Sequence, residues 1–209
     1  HSSSSPTLFQ VSKTKRMNDF DHERIAQTEK IIAQGLSGAQ NTMLIDLQRC
    51  TQCNDCVRAC ADTHDGVPRF VREGERINDW LVANACRHCR EPLCLIGCPT
   101  NAIARHGFNA VVEIDESLCI GCSTCANNCP HWSIIMHDTR EICFGGNENL
   151  PQVISKARLV ASKCDACVRK DHGPACVKAC PVDCLVRVEN VGDFFRERSK
   201  MTARHFLFA

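Results

Sequence analysis

The sequence contains no tyrosine, and aromatic residues fill only 5% of its 209 positions. Aromatic rings normally supply much of the volume of a core this size, so something else has to hold the fold together. Charge of one sign is also scarce. The 25 basic and 24 acidic residues are well mixed and leave a formal net charge of +1, and no basic tract offers a nucleic-acid footprint. No run approaches the roughly 18 apolar residues that cross a bilayer, so the chain is expected to have no membrane span of its own. It has no apolar signal-peptide core, and the basic stretch Lys13–Arg16 places no twin-Arg pair ahead of an apolar segment. The chain begins at His1 rather than Met, which leaves export with a partner open. Signatures of substrate chemistry are missing too: there is no Gly-rich dinucleotide loop, P-loop or nucleophile elbow. No C-x3-C-x2-C motif with an open iron is present either. No catalytic residue is expected.

What the chain has is cysteine, 18 residues in all, far above average usage. Sixteen fall into four groups. The first is Cys50, Cys53, Cys56 and Cys60; the second is Cys86, Cys89, Cys94 and Cys98, followed by Pro99. The third is Cys119, Cys122, Cys125 and Cys129, followed by Pro130; the fourth is Cys164, Cys167, Cys176 and Cys180, followed by Pro181. Cys143 and Cys184 are left over and read as small buried residues.

The first and third groups match the bacterial C-x2-C-x2-C-x3-C run of iron–sulfur proteins. Three cysteines spaced along a curled loop reach three corners of a cubane. The fourth, on the following helical turn, points away and serves a neighbouring cluster. A disulfide framework has no reason to repeat C-x2-C and C-x3-C four times, and cysteines this dense would mispair. Structural zinc leaves the recurring C-x3-C-P without a role. Haem attachment needs C-x-x-C-H, and no C-x-x-C pair here precedes a histidine. Iron–sulfur ligation accounts for the whole pattern, and four [4Fe–4S] clusters are the expected cofactors.

The groups begin 33 to 45 residues apart, which marks an internal repeat. Short apolar runs read as strands: Met43–Asp46, Ala110–Asp115 and Arg158–Ala161 before groups, and Ser133–His137 and Leu185–Val188 after them. Residues 1–17 read as disordered or extended. Residues 18–36 read as a helix, capped by Asn18 or Asp21, with Ile25, Ile32 and Leu36 on one face. It is taken as a docking helix or as a linker to an upstream domain. Phe194, Phe195, Phe206 and Phe208 make the last residues apolar for a tail. Arg58, Arg87, His88, Arg90, Lys163 and Arg169 lie in or beside the cysteine loops and read mostly as solvated charge, with His88 and His131 as surface groups.

The four groups, with the longer gap from Cys167 to Cys176, resemble the four-cluster ferredoxin subunits of the dimethyl sulfoxide reductase, polysulfide reductase and formate dehydrogenase class. The resemblance runs from about Met43 to Val188. Residues Ala39–Cys60, with Thr63–Gly66, are also similar to ferredoxin modules joined to cyclic-nucleotide-binding domains, although no such domain stands in this sequence. The first resemblance implies an α+β fold of two pseudo-symmetric two-cluster halves: an inner half at 81–140, and an outer half formed by 43–80 with 158–190. Residues 1–42 would be an N-terminal helical extension and 191–209 a C-terminal tail. It also implies how the groups exchange their fourth cysteine. One cluster would take Cys50, Cys53, Cys56 and Cys180, and its neighbour Cys164, Cys167, Cys176 and Cys60. A third would take Cys86, Cys89, Cys94 and Cys129, and the last Cys119, Cys122, Cys125 and Cys98. Two departures stand out: Cys60 precedes Ala61 rather than Pro, and the third group runs into His131-Trp132.

Fully ligated cubanes carry electrons and offer no open site to a substrate. The expected role is therefore a relay of single electrons. The expected partners are a catalytic oxidoreductase subunit at one end and a donor or acceptor, such as a membrane quinone subunit, at the other. The expected location is the cytoplasm or the cytoplasmic face of the membrane. The alternative is a redox-sensing ferredoxin module of a regulatory protein. Each oxidised core with four thiolates carries about −2, so four of them turn the formal +1 into about −7.

Overall fold

The computed structural model describes residues 19–33, 35–107, 110–145, 152–171 and 173–206. The expectations for residues 1–18 and for Phe208 lie outside that range, as do the side chains of Phe206 and Cys143. Helices and antiparallel sheets are mixed, as an α+β chain requires.

The central element is a four-stranded sheet. Strands β1 (Thr42–Asp46), β2 (Val71–Ile77), β3 (Trp80–Asn84) and β8 (Leu185–Val188) lie in the order β2-β3-β1-β8. Leu44 pairs with Val82 on one side of β1 and Val186 on the other, all antiparallel. Successive side chains of a strand point to opposite faces, and here both faces are buried. Met43 and Ile45 of β1, with Leu81 and Ala83 of β3, join a core that contains Cys60, Cys86, Cys164 and Cys176. Leu44, Trp80 and Val82 join a second core that holds no cysteine. Between β2 and β3 the register shifts at Val71/Gly74. Gly74 has φ 151°, and a Cβ there would sit 2.0 Å from the Val82 carbonyl oxygen, so only glycine lets the bulged strand approach β3.

Two helices cover the cysteine-free face. Helix α1 (Asp19–Ala33) is followed by a 3₁₀ turn at Leu36–Gly38, and helix α5 spans Val191–Phe206. The face of α1 that packs is not the expected one: Ile31 is buried, whereas Ile25 and Ile32 are exposed. Leu36 is buried as expected, but from the 3₁₀ turn that follows the helix. The expected C-terminal tail is in fact helical up to Phe206. Asn190 opens that helix by accepting the Asp193 backbone N–H at 3.1 Å. Phe194 meets Trp80 edge to face at 5.0 Å, and Arg198 lies 4.7 Å over the same indole.

The remaining strands carry the third cysteine group. Strands β4 (Ile103–Arg105) and β5 (Val112–Ile114) form a short pair. Strands β6 (Ile135–Gly145) and β7 (Gln152–Ser162) form a hairpin running from Ile135↔Ser162 to Gly145↔Gln152. These reach beyond the expected runs at 133–137 and 158–161 because β-branched and aromatic residues continue along both arms. Three short helices complete the chain: α2 (Asp55–Thr63), α3 (Thr124–Asn127) and α4 (Ala175–Lys178). The sheet joins β3 to β1, so a boundary between residues 80 and 81 runs through a hydrogen-bonded strand.

Candidate metal centres

Sixteen cysteine side chains gather as four quartets, each drawn from two distant parts of the chain. Cys50, Cys53, Cys56 and Cys180 line one cavity, with Cys184 beside them. Helices α2 and α4 pack together and bring the end of the fourth group to the loop of the first. Cys60, one helical turn after Cys56, faces the other way and is buried with Cys164 and Cys176. The Cys176 thiol is pushed up to about 12 by burial and by the neighbouring charges of Cys164, Cys60 and Cys167. Cys86, Cys89, Cys94 and Cys129 line a cavity of about 520 Å³ that Gly35, Ser37 and Gly38 close on one side. Cys98, Cys119, Cys122 and Cys125 line another, where α3 packs on the 3₁₀ turn at Leu93–Leu95. Every described cysteine is a free thiol.

The loops are shaped for an anionic guest with metal at its corners. In all four groups the residue just before the second cysteine has positive φ: Gln52 61°, His88 45°, Gly121 72° and Ala166 58°. A left-handed residue here turns successive backbone N–H groups toward one concave side, the nest that holds anions and iron–sulfur centres. A non-glycine residue in this conformation is strained by about 1–3 kcal/mol and persists only where its surroundings dictate it. At Gly121 a Cβ would fall 2.4 Å from the Leu159 carbonyl oxygen, so glycine lets that loop lie against β7. Backbone N–H groups already reach the sulfurs: Arg69 to Cys60 at 3.2 Å, Ala161 to Cys119 at 3.3 Å, and Cys184 to Cys180 at 3.3 Å. Gathered thiols with inward-turned amides fit [4Fe–4S] clusters, and metal binding would deprotonate thiols that burial holds neutral.

Comparison with known proteins bears on this geometry. The 4Fe-4S dicluster domain family matches residues 78–145, and a 4Fe-4S binding domain matches residues 47–63. Formate hydrogenlyase subunit 2 of Escherichia coli (strain K12) is 31% identical over 167 residues, covering 71% of this chain and 81% of that protein. Hydrogenase-4 component A of the same organism is 33% identical over 181 residues, covering 75% and 87%. Electron transport protein HydN is 31% identical over 180 residues, covering 78% of this chain and 98% of its own length. The chain belongs to the ferredoxin-type 4Fe-4S electron-transport proteins. As a member of this family it is an iron–sulfur electron-transfer protein. No helix among the described residues is long and apolar enough to cross a membrane.

Residues around the quartets differ from the expected solvated charge. Arg58 and Arg169 are exposed, as expected, on ion pairs with Asp55 and Glu113. Lys163 and His88 are instead buried, each only 2% exposed. His88 Nδ1 accepts the Val112 N–H at 3.1 Å. Burial, followed by the charges of Lys163, Arg187 and Arg105, pushes this imidazole down to about 2, so it stays neutral. His131 is half-buried, and burial beside the Arg87 charge lowers it to about 4.

Sequence reading missed His64 and Asp165. His64 Nδ1 donates to the Cys60 carbonyl at 2.8 Å, and Nε2 lies 3.2 Å from Asp165 Oδ1. The hydrogen bond that His64 donates to Asp165, then that to the Cys60 side chain, raises His64 to about 10 against the cost of burial. Burial works to raise the Asp165 carboxyl, but His64 and the Cys167 N–H hold it below the usual range. This ion pair ties the end of α2 to the fourth cysteine loop. A histidine four residues after a cluster cysteine is the only signal the sequence offers for it.

Proposed function

We propose that this chain is the iron–sulfur subunit of a multi-subunit oxidoreductase and carries single electrons along four [4Fe–4S] clusters in a row. The observation that carries this reading is the exposure of the cysteines: among the described ones, only Cys53 and Cys122 are exposed. They belong to different quartets, one at each end of a chain of contacts. The Cys53 quartet adjoins the Cys60 quartet through α2 and α4. The Cys60 quartet shares a core with Cys86. The Cys86 quartet adjoins the Cys122 quartet through Cys94, Cys98, Cys125 and Cys129, which pack in one core. Solvent reaches the two ends; the Cys60 quartet is buried throughout, and Cys89, Cys94 and Cys129 of the Cys86 quartet are half-buried.

Each quartet would hold one cluster, which when bound supplies a one-electron couple. The residues of the chain position the four thiolates, turn amide N–H groups toward them, and keep water from the Cys60 quartet. This arrangement supports two ferredoxin-like halves, one built on α2 and α4 and the other on the 3₁₀ turn at Leu93–Leu95 and α3, with α1 as an extension. It also supports the finer likeness to the subunits of the dimethyl sulfoxide reductase class. The relatives named as subunits or components of formate hydrogenlyase and hydrogenase-4 support a catalytic oxidoreductase partner at one end. A quinone subunit or soluble carrier would meet the other. So many free thiols suit assembly in a reducing compartment such as the cytoplasm.

The test is iron and sulfide analysis of the anaerobically purified protein, with native mass spectrometry of the complex. About sixteen iron atoms per chain and copurification of a catalytic subunit are expected. About eight iron atoms, or zinc in their place, would overturn the reading.

A further inference from the structure

Three cations converge between the two central quartets without an acidic partner. Lys163 lies wholly within the protein, and its Nζ donates to the Val112 carbonyl and, at 3.1 Å, to the Cys164 carbonyl. Arg187 Nη2 donates to Cys164 Sγ at 3.1 Å, while its Nε and Nη1 are buried with no hydrogen-bond partner among the described residues. Arg105 donates to the carbonyls of His88, Cys89 and Arg90. No carboxylate among the described residues forms an ion pair with any of the three. Asp165, whose charge reaches His88, is paired with His64. Val112 links the groups, because its carbonyl receives Lys163 and its N–H reaches His88. The charge of Lys163 reaches Cys94 in one quartet, and that of Arg187 reaches Cys176 in the other.

Burying a cation with only neutral partners is costly. Lys163 is buried and Arg187 and Arg105 are half-buried, and an anion standing between them would offset that cost. His88 adds an independent sign: it is 2% exposed, and its Nε2, which carries the proton because Nδ1 accepts, has no partner among the described residues.

We infer that Lys163 and Arg187 form a cationic junction between the two central clusters that raises the reduction potential of both. This rests on the four-cluster reading above. The physical need is plain. Adding an electron to a buried anionic centre is harder than adding one near solvent, because low dielectric strengthens the repulsion. Burial alone would therefore put the wholly buried Cys60 quartet, and less strongly its half-buried neighbour, below the exposed ends and raise a barrier in the middle of the relay. Fixed positive charge at the junction offsets that penalty where water cannot. The two outer quartets differ in this respect: the charges felt by Cys125 are those of Cys119, Cys122 and Cys98, whereas Arg72 lines the other outer cavity and reaches Cys56.

The experiment compares Lys163→Met and Arg187→Gln with the unaltered chain, purified anaerobically, by iron content and by potentiometric titration followed by electron paramagnetic resonance. The expected result is full iron content. Two of the four reduction steps should become at least tenfold less favourable, about 59 mV for a one-electron couple, with the other two unmoved. Either variant suffices if the other fails to fold. Full iron with no shift, or a uniform shift of all four steps, overturns the inference, and so does loss of iron from both variants, which would mark a structural role only. If the unaltered chain itself lacks about sixteen iron atoms, the four-cluster reading fails first, and the two failures are thereby told apart.

Discussion

The two faces of the central sheet are held by different means. On one face Leu44, Trp80 and Val82 meet Ile31, Leu36, Val191 and Phe195, an apolar core with its own aromatic contacts. On the other face Met43, Ile45, Leu81 and Ala83 meet cysteines. The first face is complete in protein alone. The second presents thiols pushed toward neutrality by burial, left-handed loop residues and unpaired cations, which become favourable together only around anionic metal centres. Because the same strands serve both faces, the helical side sets the frame and the cysteine side depends on cofactor. Trp80, Phe194 and Phe195 support the face that has no cysteine, and Phe70 alone of the buried described aromatics packs among the cysteines.

The largest effect expected from this contrast is that of chelation. Removing iron should collapse the cysteine face and, through the shared strands, the whole fold, since metal binding supplies folding free energy in such domains. Far-UV circular dichroism should fall, and emission from buried Trp80 should move to the red. Retention of the native spectrum in iron-free protein would show that the helical face folds by itself. Next comes Trp80→Ala, which removes the centre of the helical face. It should cost about 3–5 kcal/mol in denaturant unfolding while leaving the iron content and the paramagnetic signals of the intact protein in place; a change in those signals would mean the two faces are not separable. The smallest effect is expected from Arg198→Ala. Losing the guanidinium over Trp80 should cost about 0.5–1 kcal/mol, read as a small fall in the unfolding midpoint with no change in any reduction step.

Spacing alone carried the chemistry. Cysteines at every third position, with a fourth on the next turn, identify a cubane-binding loop from local geometry, and so the iron–sulfur class was legible before any fold. Strands such as Leu185–Val188 were legible from local sequence too, as short apolar runs. The helix at 191–206 was not. Its cap is a single Asn190, and its apolar residues read equally well as a tail until Trp80 is seen beneath them. The choice of buried face on α1 failed likewise, because Ile25, Ile31 and Ile32 offer two stripes and only the packed neighbour selects one.

By itself, then, the sequence determined which residues form loops suited to metal and what metal chemistry they suit, because that depends on contacts a few residues apart. Tertiary structure alone decided which distant cysteine shares each cavity, which two of the described thiols face solvent, and that buried Lys163 and His88 lie with half-buried Arg187 between quartets. Those outcomes depend on residues tens of positions apart meeting across a sheet. Burial, which turns an ordinary surface charge into one that acts on its neighbours, belongs to the folded chain and not to any segment of it.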